Sequence, residues 1–122
     1  MKPENVLVLG ASDNIERYSY KAIHMLEEHG HRPFLVNPVK DLIEGRRVFH
    51  TIAEVNEVID TLTVYVNCKI SSELAQSIIK LKPKRVIFNP GSENKELAKS
   101  LEKIGVSCEN ACTLVLLTTG QF

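Results

Sequence analysis

The chain alternates between short, nearly unbroken apolar runs and longer stretches in which apolar residues recur every three or four positions. The first run, Val6-Leu7-Val8-Leu9, stops at Gly10. Unbroken runs of this length read as strands covered on both faces. Others fall at Phe34-Leu35-Val36, Leu62-Thr63-Val64-Tyr65-Val66, Arg85-Val86-Ile87-Phe88 and Val106-Ser107-Cys108, and Val48-Phe49 reads as a short edge strand. Between the first two, Tyr18, Ala22, Ile23, Met25 and Leu26 give a helix its apolar face, with Ser19 as N-cap and Gly30 as the terminating residue. Thr51 and Glu54 have capping-box spacing and open a short helix bearing Ile52, Val55 and Ile59. Ser71 or Ser72 caps a helix carrying Leu74, Ala75, Ile78 and Ile79, which breaks at Lys82-Pro83-Lys84. Leu97, Ala98, Leu101 and Ile104 mark another helix, closed by Gly105. Residues 39–47 read as a polar connection and Leu114 to Leu117 as a short helix.

Strands alternating with helices imply crossover connections and a parallel sheet. The expected architecture is α/β: a single doubly wound, Rossmann-like domain over residues 1–122, with about five parallel strands in the order 3-2-1-4-5 and helices on both faces.

Composition narrows the partners. Lysine plus arginine is 15 and aspartate plus glutamate is 15, so no net field favours nucleic acid or an anionic membrane, and an anion site must be a local cluster. No apolar run approaches the ~20 residues that span a bilayer, and the N-terminus lacks a signal-peptide pattern. Cys68, Cys108 and Cys112 are odd in number and form no C-x-x-C pair, which disfavours a disulfide framework and a zinc site. A reduced, cytoplasmic protein with a small-molecule ligand is expected, and the sequence is compatible with a homo-oligomer or a partner subunit.

The candidate chemistry lies where strands end. Gly10-Ala11-Ser12-Asp13-Asn14-Ile15-Glu16-Arg17 follows the first strand and leads into a helix, the grammar of a turn whose backbone N–H groups face a phosphate. Three strands end in asparagine, at Asn37, Asn67 and Asn89, and in an open parallel sheet the ligand lies beyond those ends. Only Gly10 matches the G-x-G-x-x-G fingerprint, since Ser12 and Ile15 hold the other glycine positions. The second strand ends Val36-Asn37-Pro38, without the carboxylate that accepts from an NAD ribose, so NAD is disfavoured. Arg17, Lys21 and Lys40 instead suit a ligand with several phosphates, whereas Lys82, Lys84 and Arg85 stand at the opposite end of a strand and read as solvated. His24, His29, His31 and His50 have no partner that marks them as catalytic, and Cys108 reads as core. Cys112, just beyond the last strand, points toward the crevice, Cys68 sits at another strand end, and a Cys112-dependent or NADP-linked acyl-transfer enzyme is the alternative to a binding protein. A third reading is an interaction module with a vestigial nucleotide site.

The pattern Gly10-Ala11-Ser12, Arg17-Tyr18-Ser19-Tyr20, Gly30, Val36-Asn37-Pro38, Gly45, Asn89-Pro90-Gly91-Ser92-Glu93-Asn94 and Cys112 resembles the family of small CoA-binding domains. These are Rossmann-like proteins similar to the N-terminal part of the succinyl-CoA synthetase α subunit. The resemblance implies CoA or an acyl-CoA as ligand, held without catalysis by a carrier, sensor or subunit. It implies that Gly10, Ala11, Ser12, Asp13 and the loop to Arg17 and Ser19 hold the diphosphate, and that Asn37-Pro38 sit beside the adenosine. It also implies that Lys40 meets a CoA phosphate, that Val66-Asn67 border the adenine with Lys69 as the one nearby cation, and that Asn89-Pro90-Gly91 line the pantetheine path.

Overall fold

In the computed structural model, which describes residues 2–122, the apolar runs pair into one sheet. Its strands are β1 (Asn5–Leu9), β2 (Arg32–Val36), β3 (Leu42–Ile43), β4 (Arg46–Phe49), β5 (Thr61–Val64), β6 (Arg85–Phe88) and β7 (Ser107–Asn110). The helices are α1 (Tyr18–Glu28), α2 (Cys68–Glu73), α3 (Ala75–Leu81), α4 (Lys95–Lys103) and α5 (Thr113–Thr118), with a 3₁₀ turn at Ile52–Glu54. The sheet order is β3-β4-β2-β1-β5-β6-β7, and every pairing is parallel except β3 with β4. The α/β, Rossmann-like class holds, but the sheet has seven strands instead of five. The order 3-2-1-4-5 survives as the inner run β4-β2-β1-β5-β6. Beyond it, β7 adds to β6 in parallel, and β3 folds back on β4.

That fold-back corrects the polar connection expected over residues 39–47. Glu44 and Gly45 have φ of 51° and 79°, a two-residue turn with both central residues left-handed, which matches strand twist and closes a hairpin. The turn is tied to α1: the Tyr20 hydroxyl donates to the Glu44 carboxylate at 2.6 Å, while His24 Nε2 (2.7 Å) and Arg46 Nη1 (3.0 Å) reach its other oxygen. Arg46 also forks onto Glu27 at 2.6 and 2.8 Å.

The two sheet faces carry separate cores. Leu7, Leu9, Leu62, Val64, Val86 and Phe88 face Ile78, Leu97 and Leu101 of the α3 and α4 side. Val6, Val8 and Leu35 face Ile23 and Leu26 of α1 and Leu117 of α5. This alternation follows from the period of two along each strand, with apolar residues at both phases because helices cover both faces.

Helix starts differ from the sequence reading in two places. The cap of α1 is Arg17, and Ser19 lies buried within the first turn. The helix after β5 is capped by Asn67, whose side chain accepts from the Ile70 N–H at 2.9 Å, so Ser71 sits inside it, buried, and the helix breaks again at Leu74. The capping box does form, Glu54 accepting from both the Thr51 N–H and hydroxyl at 3.1 Å, but it supports only the 3₁₀ turn; Val55 and Ile59 are buried from irregular backbone beyond it.

At the sheet edge where β1 and β6 begin, Arg85 is half-buried instead of solvated. Its Nε donates to the Thr61 hydroxyl at 3.1 Å, its other nitrogens lie 3.5 Å from Glu4 and 3.7 Å from Glu109, and the Phe122 ring stacks 4.5 Å from its guanidinium. Phe122 also lies 5.0 Å from the His31 ring, so residues 119–122 fold back onto the body of the protein. No helix among the described residues is long and apolar enough to cross a membrane, and no group of acidic, histidine and cysteine side chains there could hold a metal ion.

Candidate functional site

The strands β4, β2, β1, β5, β6 and β7 run in the same direction, so their carboxyl ends share one edge. In the middle of that edge, where the chain passes from β1 to α1, lies a cavity of about 600 Å³. Its wall is the loop residues Gly10, Ala11 and Ser12, the stretch from Glu16 to Ser19 that leads into α1, and the residues Asn37 and Tyr65.

Gly10 lets the loop turn where it does. Its φ is +89°, and a Cβ there would lie 3.0 Å from a Val66 methyl and 3.3 Å from the Tyr65 carbonyl carbon. The Gly10 and Ala11 N–H groups both donate to the Val36 carbonyl at 3.1 Å, closing the loop over the end of β2. Ser12 Oγ then accepts from the Asn14 N–H and Asn14 Oδ1 from the Glu16 N–H, each at 3.0 Å, and the Asn14 carbonyl accepts from the Arg17 N–H at 2.9 Å. These local bonds deliver the chain to α1 with extended backbone at Arg17 and no side chain capping the helix. The first N–H groups of a helix have no intrahelical acceptor and carry its positive end. They open on the cavity together with Arg17, whose side chain is exposed and makes no hydrogen bond or ion pair among the described residues. Lys21 lies against the Tyr18 ring, 5.5 Å from its centre, and Glu16 adds one opposing carboxylate.

Asn37 and Asn89 directly follow β2 and β6, whereas β5 stops at Val64 instead of Val66 and leaves Asn67 beyond its strand end; each amide is engaged by the protein itself. Asn37 Nδ2 donates to the Ala11 carbonyl at 2.8 Å, and its Oδ1 accepts from the N–H groups of Val39 and Lys40 at 2.8 and 3.1 Å. It thereby joins the loops after β1 and β2 and still lines the cavity. Asn67 caps α2. Asn89 is 2% exposed: its Nδ2 donates to Thr63 Oγ1 (2.7 Å) and the Val64 carbonyl (2.9 Å), and its Oδ1 accepts from the Thr113 N–H (2.9 Å). Thr63 and Thr113 share a hydroxyl contact of 2.8 Å, which completes a buried polar bridge from β5 through β6 to α5.

Of the residues proposed from sequence, Gly10, Ala11, Ser12, Arg17, Ser19 and Asn37 meet in the cavity wall. Asp13 and Lys40 pair with each other at 3.0 Å, Val66 packs on Gly10, and Asn67, Asn89, Pro90 and Gly91 stand outside the wall. Pro38 and Lys69 are exposed, also outside it. Glu16, Tyr18 and Tyr65 are wall residues that the sequence reading missed. Tyr65 was legible in principle, because it closes the β5 run just before Val66-Asn67. Its hydroxyl is buried beside the Thr63–Thr113 pair without a well-formed hydrogen bond, and burial pushes its pKa up to about 12. Cys112, the residue before α5, is half-buried, and Cys68 is exposed. Cys108 is half-buried against the core, and burial raises its thiol to about 11.

A mostly parallel sheet whose first loop opens an uncapped helix start onto a cavity at its carboxyl edge defines a Rossmann-like α/β protein. The chain belongs to the CoA binding domain family, whose model matches residues 4–118. Among solved structures, an uncharacterized protein is 37% identical over 100% of both chains with a TM-score of 0.91. A hypothetical protein from Pyrococcus horikoshii OT3 is 25% identical, with 93% of this chain and 81% of that one covered and a TM-score of 0.87. The dinucleotide-forming acetyl-coenzyme A synthetase 1 of Ca. Korarchaeum cryptofilum, solved with phosphate and ADP, shares the fold at 18% identity and a TM-score of 0.75; the match covers 90% of this chain and 26% of the synthetase.

Proposed function

We propose that this protein binds CoA or an acyl-CoA at the carboxyl edge of its sheet and acts as a carrier, sensor or subunit without transforming the ligand. One observation carries the reading: the uncapped start of α1 and the unpartnered Arg17 side chain open together on one cavity, in a chain of the CoA binding domain family. Backbone N–H groups and a guanidinium match a diphosphate in charge and in donor geometry. They bind phosphate but supply neither a nucleophile nor an acid–base pair, which supports holding over chemistry. The chain leaves β2 as Val36-Asn37-Pro38, without the carboxylate that accepts from an NAD ribose, which disfavours NAD.

The test is a thermal-shift and calorimetric panel of CoA, dephospho-CoA, acetyl-CoA, NAD and NADP. A ligand at 100 times its Kd adds about 2.7 kcal/mol to a small domain's stability, an easily read shift. CoA and acetyl-CoA should stabilise, and Arg17→Ala should weaken them by about tenfold or more, since a charged hydrogen bond contributes about 1.5–3 kcal/mol. The melting point of the free protein should stay nearly unchanged. Stabilisation by NADP but not by CoA sinks the reading. Release of free thiol from acetyl-CoA above background would replace carriage with catalysis and turn attention to Cys112.

A further inference from the structure

The Lys40 ammonium lies 3.0 Å from the Asp13 carboxylate, an ion pair between the loop after β1 and the loop after β2. Each loop is built without it. Ser12 and Asn14 shape the first through their own turn bonds, and Asn37 fixes the backbone at Val39 and Lys40 in the second. The Asp13 carboxylate makes no other hydrogen bond or ion pair among the described residues, and both partners remain about half exposed, at 44% for Lys40 and 50% for Asp13. The pair is thus a contact of two side chains that water or a ligand can replace. Arg17, on the same loop as Asp13, is left free. Of the three cations proposed for phosphate, Arg17 is open, Lys21 lies against the Tyr18 ring, and Lys40 is occupied by the protein's own carboxylate.

Resting on the CoA reading, we infer that Asp13 is a specificity-determining residue: it competes with phosphate for Lys40. A ligand with a diphosphate alone meets the α1 start and Arg17 and leaves the pair intact. A ligand with a further phosphate on its ribose, which in this fold lies beyond the end of β2, takes Lys40 from Asp13. Asp13 lowers the affinity of every ligand that uses Lys40 and leaves the others alone. Because exposed ion pairs are weak, the exchange is reversible at modest cost.

Calorimetry on the whole chain tests this with CoA and dephospho-CoA, which lacks the ribose phosphate, against wild type, Asp13→Asn, Lys40→Gln and the double variant at low salt. Asp13→Asn should tighten CoA by about threefold to fivefold, the scale of one exposed ion pair, and leave dephospho-CoA nearly unchanged. In the Lys40→Gln background the gain should vanish, the signature of a direct coupling. An equal gain in that background, or equal gains for both ligands, reduces Asp13 to a general negative charge and overturns the inference, as does an unchanged CoA affinity. If CoA binds none of the four proteins, the functional reading itself fails; if it binds all four without coupling, only this inference does.

Discussion

Gly10 meets two constraints at once, a left-handed φ of +89° and a close approach to Val66 and Tyr65. A non-glycine residue in such backbone costs on the order of 1–3 kcal/mol before any clash is counted. Gly10→Ala should therefore destabilise the protein by about 1–3 kcal/mol, read from the urea midpoint at constant m-value; a loss within about 0.5 kcal/mol would show that the loop relaxes. Tyr65 poses the opposite case. Its buried hydroxyl lacks a well-formed bond, so Tyr65→Phe should be neutral or stabilising by up to about 1 kcal/mol. The raised phenol pKa keeps the folded state protonated longer than the unfolded one. Its contribution is complete below pH 10 and fades as pH climbs through about 12, so the two proteins should diverge only in that alkaline window. At this scale the sequence was informative about position and less about role. Asn37 and Asn89 do directly follow their strands and Asn67 lies further on as a helix cap, but an asparagine in such a place serves a cap, a loop brace or a ligand equally well, and only the partners of its amide decide.

Among the elements, the hairpin β3–β4 was the least legible. A two-residue pairing has no period to read, and its turn places Glu44 where asparagine, aspartate or glycine is the usual signal. What holds a glutamate there is visible only in three dimensions, in the donors from Tyr20, Arg46 and His24. The Tyr20 hydroxyl first, then Arg46, hold the Glu44 carboxyl down at about 2. A carboxyl depressed by folding stabilises the native state above its unfolded pKa, near 4.5, and loses that contribution as pH falls through about 2. The stability gap between wild type and Glu44→Gln should accordingly hold steady from pH 7 to 5 and close towards pH 2. A side-chain carboxyl midpoint near 4.5 in an NMR titration would show the hairpin is not clamped in solution. The long strands and α1, by contrast, were readable because tertiary packing reinforces their local pattern. The strand missed was β3, two residues inside what reads as a polar connection, whereas β7 was legible from Val106-Ser107-Cys108 although it is largely exposed.

For the molecule as a whole, the two faces of the sheet are closed by different means. The α3–α4 side is filled by apolar packing, with Asn94 capping α4 and donating to Ser71 and Ser72 of α2. The α1–α5 side is joined to the sheet by the Asn89–Thr63–Thr113 bridge, and the return of Phe122 onto Arg85 and His31 sits at the sheet's far end. The class of fold and the sheet edge that holds the cavity were legible because strand direction alone brings the loops together. The cavity wall was legible only in part: Gly10, Ala11, Ser12, Arg17, Ser19 and Asn37 were foreseen, but Glu16, Tyr18 and Tyr65 depend on how the chain turns in three dimensions.

The order of the strands also bears on how the chain reaches this state. The central strand β1 is flanked in register by β2, with Val6 opposite Pro33, and by β5, with Val6 opposite Thr61. Each partnership closes a loop through intervening helices, and the one pairing joined by a tight turn, β3 with β4, is short and peripheral. Local contacts therefore offer no early foothold for the sheet, and the entropy of closing two large loops precedes the gain from zipping β1. A chain built this way should refold with the slower kinetics of non-local topologies. The buried strand β1 should exchange its amide protons only through global unfolding, which makes it the last part of the molecule to come apart.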